Sequence, residues 1–95
     1  MQVVIKYPRE APMVTDIPNT LEALQEAVGG YIETVTVAED LCLLCNEEGR
    51  ILGLEPNCSI FGVHFVGPVL AVGVRGDDFT GISDEYIPLI IQMMQ

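Results

Sequence analysis

The chain has few basic residues: four Lys and Arg stand against 14 Asp and Glu, which gives a net charge of −10. Direct binding to nucleic acid draws most of its affinity from cations that neutralise phosphate, so this composition disfavours a nucleic-acid-binding protein. An anionic membrane surface is disfavoured for the same reason. Two interpretations of the acidity stay open. It is either an ordinary solvated surface, or a face that meets a basic partner or mimics nucleic acid.

Long hydrophobic segments are also absent. No apolar run approaches the ~20 residues that span a bilayer. The strand-like opening MQVVIKY meets Pro8 before a signal-peptide core could form. We therefore expect one small acidic domain over residues 1–95, in the cytoplasm. Its apolar fraction of 49% is high for so short a chain, and we expect a homo-oligomer to cover the excess.

The sequence carries none of the common catalytic or nucleotide-binding motifs: it has no G-x-S-x-G, P-loop, G-x-G-x-x-G or H-E-x-x-H. We therefore expect a protein that is not an enzyme and binds no cofactor. Histidine occurs once, at His64, and a nucleophilic pair with Cys58 is conceivable. The sequence reveals no third group that would support such a pair.

Four residues have the spacing of a possible zinc site. They are Cys42, Cys45, Cys58 and His64, in the pattern C-x2-C-x12-C-x5-H. The first pair, however, lies in the apolar run LCLLC, and residues three apart on a strand point to opposite faces. An odd number of cysteines in a chain of cytosolic character also favours reduced thiols over disulfides. We expect buried or half-buried free thiols and no metal site.

Periodicity predicts an α+β fold. The element order is β-β-α-β-β-β-β-(β)-α, a mostly antiparallel sheet of about five to six strands with both helices on one face. Asn19 is the predicted N-cap of the first helix and Glu22 completes a capping box. In the second helix, Asp84 is the predicted N-cap and Pro88 the fourth residue.

Glycines mark two predicted turns. Gly29 and Gly30 follow the first helix, at the end where carbonyls rather than N–H groups are free, so they are not a phosphate-binding loop. Gly29 is the predicted left-handed residue that stops the helix, and Gly30 allows a tight reversal. Gly49, with φ > 0, is predicted to close a hairpin between Leu41–Cys45 and Arg50–Leu54, after which Pro56 and Asn57 interrupt the pattern.

Several segments resemble one known family. They are LQEAVGGYIE, the stretch LCLLCNEEGRILGL followed by Asn57, the segment VGPVLAVG, and a C-terminal helix that begins with Ser-Asp-Glu. Together they resemble the family catalogued as domain of unknown function 3846 over most of the chain. The resemblance implies an origin in phages, plasmids or conjugative elements of Gram-positive and gut bacteria, often beside anti-restriction genes. It implies no catalytic residues.

The functional expectation combines the charge with this resemblance. We expect a non-enzymatic accessory protein of a mobile element that binds an unidentified host or element-encoded partner, such as a host defence or nucleic-acid-processing protein, through an acidic surface. The alternative is a protein that binds or sequesters a nucleotide signal at an oligomer interface, provided that Lys6, Arg9, Arg50 or Arg75 converge there. The candidate partner surface comprises Glu33, Glu47, Glu48, Asp77 and Asp78.

Overall fold

The computed structural model describes residues 1–95 and is built on one six-stranded antiparallel sheet. Its strands are β1 (Gln2–Lys6), β2 (Met13–Asp16), β3 (Ile32–Ala38), β4 (Leu41–Asn46), β7 (Val69–Arg75) and β8 (Asp78–Thr80). The spatial order is β2-β1-β7-β4-β3, with β8 paired to the end of β7. A separate hairpin is formed by β5 (Pro56–Ile60) and β6 (Val63–Val66), and the helices are α1 (Leu21–Val28) and α2 (Ile87–Met93). The predicted α+β class and element order are confirmed.

The two helices cover opposite faces of the sheet, and the prediction that both lie on one face is wrong. Leu24 and Val28 of α1 pack in one core cluster with Leu44 and Leu70. Ile90 of α2 packs in the second core cluster, on the opposite face of the sheet. That cluster also contains residues of the β5–β6 hairpin and the β4 and β7 residues that alternate with those of the first cluster. Every residue of β4 is buried. A continuous apolar run such as LCLLC is typical of a strand that is covered on both sides.

The hairpin predicted between Leu41–Cys45 and Arg50–Leu54 is also wrong. Since β4 pairs with β3 on one side and β7 on the other, no edge is left for a third strand. Residues 47–53 instead form successive turns. Gly49 lacks a positive φ, and its role is close packing, because a Cβ there would lie 2.9 Å from Cγ2 of Val66. The predicted break at Pro56 and Asn57 is the start of β5, where an edge strand tolerates proline.

Both predicted N-caps need correction. Thr20, not Asn19, caps α1: it has extended backbone angles, and its Oγ1 accepts from the Ala23 N–H at 3.1 Å. Asn19 donates instead to the Phe79 carbonyl at 3.0 Å, so the capping box with Glu22 does not form. Glu22 is in the first turn, where its charge suits the helix dipole.

The second helix begins later than predicted. Its N-cap is Tyr86, without a side-chain capping bond, and Pro88 is its second residue. Asp84 accepts from Nε2 of Gln2 at 3.0 Å, which ties the chain before the helix to β1 instead of capping the helix. Neither helix is long and apolar enough to cross a membrane.

Candidate functional site at the Asn46 end of the sheet

Asn46, the last residue of β4, joins three parts of the fold. Its side chain is 5% exposed. Nδ2 donates to the Val28 carbonyl at 3.1 Å, and Oδ1 accepts from the Glu48 N–H at 2.8 Å. The last carbonyls of a helix have no partner within the helix, so the first bond satisfies one of them. The second orders the turn after β4. Sequence reasoning treated Asn46 as a loop residue and missed this role.

Gly29 and Gly30 lie against this asparagine. Gly29 has φ 80° and its N–H reaches the Glu26 carbonyl at 3.3 Å, while the Gly30 N–H reaches the Gln25 carbonyl at 3.0 Å. Those two bonds constitute a Schellman motif. Free carbonyls, not N–H groups, end the helix here, which is the wrong polarity for a phosphate. The glycine pair therefore terminates α1, and the backbone groups beside it do not suit an anion.

Two cavities adjoin at Asn46, which lines both. The first, of about 280 Å³, lies between β3, β4 and the β5–β6 hairpin, and its lining includes Glu33, Glu47, Arg50 and His64. The second, of about 220 Å³, lies at the end of α1 beside the glycine pair and includes Glu48. Cavities of this size are below the usual range for drug-sized ligands, and both carry carboxylates.

Large apolar side chains around the cavities are exposed to solvent. Ile51 is 84% exposed and Tyr31 is 66% exposed, with Leu52 and Val63 beside them. Single exposed apolar residues are ordinary, but several around one depression are typical of an interaction site. We define the acidic–apolar surface as these seven residues: Tyr31, Glu33, Glu47, Glu48, Ile51, Leu52 and Val63.

The predicted partner surface is divided by the fold. Glu33, Glu47 and Glu48 come together at the Asn46 end, where α1 terminates. Asp77 and Asp78 line a cavity with Leu21, where α1 begins. The two groups thus lie at opposite ends of the helix and do not form one face. Sequence spacing carried no signal for this division. The pairing of β3 with β4 places Glu33 near Glu47, whereas the pairing of β7 with β8 places Asp77 and Asp78 at the other end of α1.

The thiols and His64 do not converge. Cys42 and Cys45 belong to different core clusters on opposite faces of the sheet, as their spacing on a strand predicts. Nδ1 of His64 lies 2.5 Å from Oγ of Ser59, its cross-strand neighbour, whereas Cys58 packs against the core. No group of three His, Cys, Asp or Glu side chains could hold a metal ion.

Burial raises the pKa of all three thiols. For Cys45, burial and then the nearby Glu33 carboxylate raise the pKa to about 11. Burial is also the main cause that raises the pKa of Cys42 and of Cys58. Because the thiolate is the nucleophile and the metal ligand, these cysteines are poorly suited to either role at neutral pH.

The comparison with known families shows which family the chain belongs to. A family model described as Domain of unknown function (DUF3846) matches residues 1–95, the whole chain. The chain belongs to the DUF3846 family. No curated protein and no solved structure matches it.

In this DUF3846 chain, two of the segments that carry the sequence resemblance meet at the candidate site. Val28 and Gly30 come from LQEAVGGYIE, and Asn46 comes from LCLLCNEEGR. The Asn46 side chain contacts both, through its bond to the Val28 carbonyl and through the close approach to Gly30. These two segments therefore form a packing contact that shapes the acidic–apolar surface.

The four basic residues of the DUF3846 chain are dispersed. Arg50 lines the first cavity. Lys6 is buried and donates to Oδ1 of Asn57 at 2.7 Å, and Arg9 forms an ion pair with Glu55. Arg75 is at the end of β7, where it pairs in register with Asp78. This arrangement lacks the convergent cations that an anionic ligand requires.

Proposed function

We propose that this DUF3846 member is a non-enzymatic binding protein that holds a protein partner on its acidic–apolar surface. The observation that carries the proposal is the combination of exposed Tyr31, Ile51 and Leu52 with the carboxylates of Glu47 and Glu48 around two adjoining depressions. Protein interfaces commonly place aromatic and aliphatic anchors at the centre and charged groups at the rim.

The charge of this surface defines the complementary partner. It carries three carboxylates, and the one guanidinium beside it, that of Arg50 in the first cavity, leaves the region negative. A partner with basic side chains around an apolar patch is therefore favoured, and salt should weaken the complex. The family resemblance adds the expectation that the partner belongs to the bacterial host or to the mobile element, and that it is a defence or nucleic-acid-processing protein.

The raised thiol pKa values support the non-enzymatic part of the proposal. Protonated cysteines are weak nucleophiles; Cys42 and Cys45 are also buried, and Cys58 is half-buried. The Ser59–His64 pair is an exposed cross-strand contact.

A matched pair of charge reversals tests the proposal. The tagged chain is used to capture partners from host lysate at low salt, in parallel with Glu47→Lys/Glu48→Lys and with Asp77→Lys/Asp78→Lys. Both variants change the net charge equally, at opposite ends of α1. We expect the first double variant, and Leu52→Ser, to lose a protein that the wild type and the second double variant retain. Equal capture by both double variants would contradict the proposed surface.

The small-ligand alternative has one supporting observation. Arg50 and His64 line the same cavity, where they could contact a polar ligand. The neighbouring Glu33 and Glu47 oppose an anion such as a nucleotide. Native mass spectrometry of protein purified from cells would show a bound small molecule as added mass, and a mass of the chain alone would contradict this alternative. The same spectrum tests the proposed homo-oligomer.

A further inference from the structure

β3 is an edge strand whose outer side has no partner. It pairs only with β4. In an antiparallel pair, successive residues turn their backbone groups alternately towards the partner strand and away from it. The Glu47 N–H donates to the Tyr31 carbonyl at 2.8 Å, and the same register continues through Glu33 opposite Cys45 and Val35 opposite Leu43. The backbone groups of residues 32, 34 and 36 therefore face outward.

This edge has few of the features that usually prevent strand addition. It is seven residues long, and Ile32 to Thr36 keep one register with β4 before a shift between Thr36 and Ala38. It contains neither lysine nor proline, and four β-branched residues follow one another from Thr34 to Val37. The opposite edge, β2, has four residues and lies between Pro12 and Pro18. Short strands, prolines and charged edge residues normally block pairing with another chain. β3 is thus the open edge of the sheet.

Carboxylates surround both ends of the open edge. Glu39 and Asp40 follow β3 directly, and Glu47 and Glu48 lie beside its beginning. A second copy of this chain that paired antiparallel would bring the Glu39 end of one copy against the Glu47 end of the other. Like charges in such positions are destabilising, whereas a basic strand would be attracted along the whole edge.

We propose that β3 accepts an extended segment rich in lysine or arginine, from the partner protein, as an additional strand of the sheet. This inference rests on the proposed function, since it specifies how the partner is held. The outward backbone groups of residues 32, 34 and 36 would supply hydrogen bonds, and Glu33 would contact a basic side chain on the added strand. Strand addition combines backbone affinity with selection of alternate side chains.

Amide hydrogen exchange, measured by NMR on the full chain, tests the added strand directly. The probe is a synthetic heptapeptide of alternating lysine and valine, and the control peptide has glutamate in place of lysine. In the free protein, we expect fast exchange at Ile32, Thr34 and Thr36 and slow exchange at Glu33 and Val35. When the lysine peptide occupies about nine protein molecules in ten, exchange at Ile32, Thr34 and Thr36 should slow about tenfold, because only the free protein exchanges at these amides. Unchanged exchange at these amides would overturn the inference.

A proline at an outward N–H gives a second, independent test. Thr34→Pro removes a donor that β4 does not use, and Thr34→Ala keeps it. Circular dichroism and melting establish that each variant is folded. Loss of the captured partner by Thr34→Pro alone supports the added strand. If Thr34→Pro folds and still captures the partner, while Glu47→Lys/Glu48→Lys does not, strand addition is overturned. The proposed binding function would still hold in that case. If Thr34→Pro does not fold, the exchange measurement decides.

Discussion

Nδ2 of Asn46 occupies the space that a side chain on Gly30 would need: a Cβ built on Gly30 would lie 2.9 Å from it. The same Nδ2 donates to the Val28 carbonyl at 3.1 Å. The glycine and the asparagine are therefore two halves of one contact. It fixes the end of α1 against β4, and with it the boundary between the two cavities.

Replacing either residue should destabilise the fold through this shared contact. We expect Asn46→Ala to lower the free energy of unfolding by about 1–3 kcal/mol, because the buried Val28 carbonyl loses its partner. We expect about 1–3 kcal/mol for Gly30→Ala, from overpacking. The double variant should lose less than the sum of the two, because Asn46→Ala makes room for the new methyl group. Urea denaturation measures all three, and strictly additive losses would contradict the contact.

The stability of Gly29 variants should depend on how readily the new residue adopts the left-handed backbone conformation. With φ 80°, Gly29→Val should lower stability by about 1–2 kcal/mol, whereas Gly29→Asn should cost less, because asparagine enters this conformation more readily. The matched pair separates backbone strain from the mere addition of a side chain. A Gly29→Val protein as stable as the wild type would show that this residue does not limit the fold.

Phe61 stands at the tip of the β5–β6 hairpin with φ 50°, followed by Gly62 with φ 77°. This two-residue turn prefers Asn-Gly, and a bulky residue with positive φ is strained. Phe61 is also 77% exposed, so it contributes little packing. We expect Phe61→Asn to raise the melting temperature, with a gain of about 0.5–1.5 kcal/mol. Phe61→Ala, which removes the ring but keeps the strain, is the control. A lower melting temperature for Phe61→Asn would mean that the ring stabilises the fold.

The buried thiol of Cys45 predicts a loss of stability at alkaline pH. Its pKa rises from 9.0 to about 11 on folding. Between these values the unfolded chain releases the proton and the folded chain keeps it, so raising the pH favours unfolding, by at most about 1.4 kcal/mol per pH unit for one group. Stability is unaffected by this group below pH 9.

Urea denaturation at pH 8 and at pH 10 tests this dependence. Cys42 and Cys58 shift in the same direction, so Cys45→Ser should reduce the loss between the two pH values without abolishing it. An equal loss in Cys45→Ser and the wild type would assign the effect to other groups.

Much of the local structure could be predicted from the sequence. Leu21, Leu24 and Val28 recur at helical spacing and indicate α1, and Gly29 marks its end, because these signals act within a few residues. Only Leu24 and Val28 of the three are buried, since Leu21 is 62% exposed. The N-cap was misplaced by one residue, since Asn19 and Thr20 are both good caps and only contact with Phe79 engages Asn19 elsewhere. The pairing of β4 was predicted wrongly because a short turn favoured Arg50–Leu54. In the structure, β3 pairs with β4 across the two-residue turn at Glu39 and Asp40, and β7 pairs with its other side from farther along the chain.

By itself, the sequence determined the kinds of elements, their order, the termination of α1 and the opposite directions of Cys42 and Cys45, since these follow from backbone geometry and side-chain periodicity. The tertiary structure alone decided which face each helix covers. It also decided that Asn46 binds the end of α1, that Glu33, Glu47 and Glu48 meet while Asp77 and Asp78 do not, and that β3 is left open. Each of these depends on how the strands and helices are arranged together, a choice made by the packing of the whole core rather than by any short segment.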